Sequence, residues 1–115
     1  MKQLASVDIL GTNYTIHYDV EPKADKTLKK NKGWYSYCNS EKKSITLSTR
    51  IGGVENNKLF YAINIRHEII HAFLYESGLD TSSGSVDSWA TNEEMVDWLA
   101  MQWPKIQAIF KQLGI

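Results

Sequence analysis

Apolar positions recur on a strand-like period in the first half of the chain and on a helical period in the second. Residues 3 to 10 and 13 to 20 are short runs rich in Val, Ile, Tyr and Thr. With a tight connection at Gly11-Thr12 they predict a β-hairpin. Glu21 to Gly33 is polar and lysine-rich between Pro22 and Gly33, which predicts a loop or a frayed helical turn whose charges are a solvated face. Residues 34 to 38 and 44 to 49 alternate on a two-residue period around a polar Asn39-to-Lys43 turn, and predict a second hairpin. Gly52 and Gly53 interrupt the chain ahead of a helical stretch over about 56 to 76, which Gly78 is placed to terminate. The polar segment from Gly78 to Thr91 has neither period and predicts a mobile connection. Thr91 or Asn92 can then cap a last helical run whose first turn carries Glu93 and Glu94 and whose middle holds Pro104, a residue expected to kink or split it. Strands first and helices afterwards give an α+β arrangement: a small sheet of hairpins covered by a central helix and a C-terminal helix or helix pair.

Composition narrows the function classes. The 115 residues suffice for one domain, spanning 1 to 115. Thirteen basic residues against thirteen acidic ones leave a formal charge of zero, so no broad basic field is available for nucleic acid. No apolar run has signal-peptide or membrane-spanning length. The single cysteine, Cys38, excludes an internal disulfide framework. The expectation is a soluble, cytoplasmic monomer that acts on a protein or peptide, with no nucleic-acid or membrane partner.

The helix over 56 to 76 carries His67-Glu68-Ile69-Ile70-His71, an H-E-x-x-H pattern. Four residues turn a helix through about 400°, so the two imidazoles lie within about 40° of each other and offer two nitrogen ligands to one ion. Glu68 lies about 100° around from His67, where it can reach water at the metal without being a ligand, as a general base requires. Shuffling this composition produces the pattern about three times in a thousand. Phe60, Ile63, Ile70 and Leu74 share the histidine side of the helix, and Ile65, Ile69 and Ala72 the opposite side. Polar groups set in such surroundings need partners, and Zn²⁺ would supply one.

A catalytic zinc takes three protein ligands. The third is expected from the start of the last helix, where Glu93 and Asp97 share a face by the four-residue rule. Glu93 is chosen over Glu94 because a ligand at 93 leaves Asp97 one turn behind to brace an imidazole, whereas Glu94 would pair with Trp98. Tyr61, Tyr75 and His17 can donate hydrogen bonds but are read as packing or surface, Cys38 as a small buried hydrophobe, and Trp34, Trp89, Trp98 and Trp103 as core or partner surface.

His67-Glu68-x-x-His71 followed by Asn92-Glu93-x-x-x-Asp97 resembles the gluzincin metallopeptidases, with Val96 where that family usually has a small residue. The run from Ile45 to Ile51, the helix through His67 to Leu79 and the acidic helix around Val96 to Ala100 are similar to small prophage-associated ImmA/IrrE-like metallopeptidases over about residues 44 to 101. The resemblance implies a minimal zincin-like fold and a cytoplasmic zinc endopeptidase, in some members one that cleaves a phage or mobile-element regulator. Substrate is expected to lie extended along a sheet edge formed by residues 44 to 49. The competing expectation is a non-catalytic, zinc-stabilised protein that binds a partner without cutting it.

Overall fold

Leu10 and Gly11 both take positive φ, 51° and 90°, the combination of a type I′ turn whose twist matches paired strands. The turn folds β1 (Leu4–Ile9) back on β2 (Thr12–Val20), with Ile9 opposite Thr12. The connection is therefore Leu10-Gly11, one residue earlier than expected. The computed structural model describes residues 4–79 and 89–114.

The second hairpin joins β3 (Ser36–Asn39) to β4 (Ser44–Ser48), with Cys38 opposite Ile45. Asn39 Oδ1 accepts the N–H groups of Glu41 and Lys42 at 3.1 and 3.0 Å and so shapes the turn. β4 lies parallel to β2, Ile16 beside Ile45, which gives a four-stranded sheet in the order β1-β2-β4-β3. This corrects the expected substrate edge: residues 44 to 48 form an interior strand, and the edges of the sheet are β1 and β3. The reason is the parallel pairing of β2 with β4, which joins segments far apart in sequence and covers the flank of β4 that a hairpin alone leaves open.

Between the hairpins a 3₁₀ turn (Pro22–Ala24) leads into the short helix α1 (Lys26–Lys30). Asp25 holds this segment, one oxygen accepting the Leu28 N–H at 3.0 Å and the other the Tyr37 hydroxyl at 2.7 Å. Arg50 donates to the carbonyls of Leu28, Asn31 and Trp34 and clips the segment to the far end of β4.

The core is formed by Ile9, Tyr14, Ile16, Ile45 and Leu47 of the sheet with Ile51 and Ala72, and Phe60, Tyr61, Ile65 and Ile69 of helix α2 (Asn57–Glu76) pack against it. Each such fully buried aliphatic side chain contributes about 1.5–3 kcal/mol. At the end of α2, Gly78 takes φ 80°, and Gly78 and Leu79 donate back to the carbonyls of Tyr75 and Leu74, a Schellman motif. Glu76 anchors that end to the sheet by accepting from Thr12, Tyr14 and Lys43 at 2.8 to 2.9 Å.

A 3₁₀ turn (Trp89–Thr91) precedes α3 (Glu93–Gln112), which Asn92 caps by accepting the Met95 N–H at 2.9 Å. Of the kink or split expected at Pro104, the split does not occur: α3 runs through it unbroken. Proline has no N–H to offer the carbonyl four residues back, which is that of Ala100, and Arg66 Nε of α2 donates to it instead at 2.8 Å. Trp34, Trp98 and Trp103 are surface rather than core, each more than two-fifths exposed. Most of the connection expected to be mobile, residues 80–88, lies outside the described residues. Among the described residues no helix is long and apolar enough to cross a membrane.

Candidate metal centre

Helix α2 delivers His67 and His71 one turn apart, their ring centroids 4.8 Å from each other and their Nε2 atoms 3.1 Å apart. The first turn of α3 brings Glu93 to the same point: its Oε1 lies 3.3 Å from His67 Nε2 and in closer contact with His71 Nε2. The outward ring nitrogens are occupied. His71 Nδ1 donates to the Ala90 carbonyl at 2.6 Å, and His67 Nδ1 lies 3.3 Å from Asp97 Oδ1.

These outer partners fix the chemistry of the inner atoms. A carbonyl and a carboxylate can only accept, so each histidine carries a proton on Nδ1 and, in its neutral form, turns the lone pair of Nε2 inward. With both imidazoles neutral, two lone pairs and a carboxylate oxygen converge, three acceptors that a cation can satisfy together. Nitrogen and oxygen ligands about 2.0–2.2 Å from a tetrahedral zinc stand about 3.4 Å apart, close to the 3.1 and 3.3 Å of two of the three pairs, while His71 Nε2 and Glu93 Oε1 stand closer and would part to admit the ion. The donor set fits zinc. Outer acceptors on both imidazoles are the usual support for metal-ligating histidine.

His71 is buried, His67 nearly so, and Glu93 and Asp97 approach from the solvent side. Glu68 is 5% exposed. One of its oxygens, Oε2, accepts from Ser36 Oγ of β3 at 2.6 Å. No buried side-chain oxygen or nitrogen among the described residues lacks a partner, so the unpaired Oε1 opens onto the cavity that Glu68 lines. Burial raises the Glu68 carboxyl above the usual range, with the Ser36 hydrogen bond and His71 opposing and Glu93 adding to the rise. Donor atoms of His67, Glu68 and His71 all lie within 4.8 Å of one another.

The centre sits in a cleft of about 770 Å³ bounded by β3, α2 and the start of α3. Trp34 and Tyr35 line it ahead of β3, and Phe60 and Ile63 line its α2 wall. Tyr75 also lines it, its ring stacked on His71 at 6.2 Å, whereas Tyr61 stacks on Tyr18 at 6.1 Å, and neither Tyr61 nor His17 lines the cleft. Cys38 lines the cleft as a neutral thiol, pushed up to about 12 chiefly by burial. His67, His71, Glu93, Asp97 and Glu68 are thus brought together as the spacing predicts, and Glu94 lines no part of the cleft. Sequence reasoning missed Ser36, Asn64 and the Ala90 carbonyl. Asn64, one turn before Glu68, was accessible to the helical rule, but the other two carry no local signal.

Comparison of the chain with protein-family models, with curated proteins and with solved structures finds no match.

Proposed function

We propose that the chain is a minimal zincin-like, zinc-dependent metallopeptidase in which His67, His71 and Glu93 hold Zn²⁺, Asp97 braces His67, and Glu68 is the general base. The observation that carries this reading is the convergence of two imidazole lone pairs and a carboxylate oxygen on one point, with both outer nitrogens already paired. Zinc held there would supply Lewis acidity, polarising a peptide carbonyl and acidifying water.

The rest of the work falls to the chain itself. Glu68 Oε1, open to the cleft, accepts a proton from water there and returns it to the departing amine. Edge strand β3 runs along the cleft with its outer backbone groups outside the sheet ladder, a track on which an extended peptide can pair. Phe60 and Ile63 offer that peptide an apolar wall. A protein substrate is the fitting class, and the resemblance of the two motifs to prophage-associated metallopeptidases suggests a phage or mobile-element regulator.

The test is Glu68→Gln, nearly isosteric but unable to take the proton. Zinc content and fold are expected to remain while cleavage of an unfolded protein mixture falls at least about 100-fold. Undiminished cleavage would assign the activity to another base. Zinc without cleavage in the unaltered protein would leave a zinc-stabilised binding protein.

A further inference from the structure

Glu68 follows a proposed ligand directly and lies within 4.8 Å of the histidine donor atoms, close enough for its carboxylate to be drawn onto the same cation. A carboxylate so captured is no longer a base. The structure holds it away through Ser36, whose hydroxyl donates to Oε2 at 2.6 Å, the short length of a charge-assisted bond.

Ser36 is itself fixed from two sides. Its backbone pairs with Leu47 in the β3–β4 ladder, and Asn64 Oδ1 lies 3.2 Å from its Oγ. Asn64 Nδ2 donates to the Phe60 carbonyl at 2.8 Å, which turns Oδ1, an acceptor, towards the serine. The hydroxyl has one proton for two acceptors. The nearer one, Glu68, takes it, and Asn64 remains the alternative when Glu68 is replaced. Without Ser36, Oε2 is a buried carboxylate oxygen with no partner, and a cation within reach is its best replacement.

We propose that Ser36 is a positioning residue that tethers Glu68 to the edge strand and keeps its carboxylate out of the metal's ligand set. The inference rests on the metal-centre reading above and deepens it by assigning what separates base from ligand.

The test uses Co²⁺ in place of zinc, whose visible absorption loses intensity as its coordination number rises, and compares Ser36→Thr with Ser36→Val. The two side chains are isosteric and differ in the hydroxyl, so damage to the strand affects both alike, and circular dichroism checks the fold. Ser36→Thr is expected to keep the spectrum of the unaltered protein, Ser36→Val to lose intensity, and Ser36→Val with Glu68→Gln to regain it. Turnover of unfolded casein should fall about 10- to 100-fold in Ser36→Val through kcat with KM unchanged, and recover in Ser36→Thr. An unaltered spectrum in Ser36→Val overturns the tether while leaving the metal centre standing. Failure of the unaltered protein to bind Co²⁺ at all overturns both.

Discussion

At the residue scale the histidines are defined less by their spacing than by what their outer nitrogens touch. His67 leans on Asp97, and His71 on the Ala90 carbonyl, so each neutral imidazole presents its Nε2 lone pair inward. Loss of such an outer partner typically costs 10- to 100-fold in metal affinity. Asp97→Ala should therefore weaken zinc binding by about that factor, while Glu94→Ala, outside the cleft, should leave it unchanged; competition with a chromophoric chelator measures both. A second residue-scale prediction concerns Glu76. Hydrogen bonds from Lys43, then Tyr14 and Thr12, hold its carboxyl below the usual value of 4.5. A carboxylate depressed in the folded state stabilises above its unfolded pKa and loses that contribution as pH falls through the folded one. Glu76→Gln should lower the melting temperature at pH 7, and the gap to the unaltered protein should close as pH drops below about 4. A gap independent of pH would mean that the carboxylate's charge is irrelevant. The proposed ligands and base were legible in the sequence because all obey the local geometry of a helix, with His67, Glu68 and His71 on one and Glu93 and Asp97 on another. Ser36 was not, because its meeting with Glu68 depends on where a strand falls in the sheet.

At the element scale, Pro104 shows how tertiary contacts alter a local rule. Read alone, it ends or kinks a helix, yet α3 runs from Glu93 to Gln112 because Arg66 of α2 satisfies the carbonyl that proline leaves orphaned. Arg66→Met should destabilise the fold by about 1–3 kcal/mol in chemical denaturation, the cost of leaving a buried acceptor unpaired. In a Pro104→Ala background, where position 104 regains an N–H for the Ala100 carbonyl, the same change should cost less, and equal costs in both backgrounds would show that the two residues are not coupled. β4 teaches the complementary lesson. Residues 44 to 49 read as a sheet edge, but β2 on one side and β3 on the other make the strand central, and even its polar Thr46 and Ser48 are buried. Hairpins follow from local turn chemistry, whereas the parallel pairing of β2 with β4 joins segments that no local signal relates.

On the scale of the whole molecule, the α+β order, the hairpins and the covering helix were legible from periodicity, and the strand order was not. That order matters for the chemistry, since it makes β3 both an edge of the sheet and the wall of the cleft. The proposed metal joins the two halves of the helical layer, taking two ligands from α2 and one from α3, so zinc should stabilise the fold as a ligand of the native state. A hundredfold excess of free zinc over its dissociation constant is worth about 2.7 kcal/mol, and chelation should lower the melting temperature accordingly. The most direct measurement is zinc affinity and stoichiometry of the unaltered protein beside Glu93→Ala, by competition titration with metal content from mass spectrometry. The account predicts one tightly held zinc per chain, with affinity lost by more than about 100-fold in Glu93→Ala, since a direct ligand should cost more than an outer one. Equal zinc affinity in the two proteins, or no bound metal in either, would contradict it.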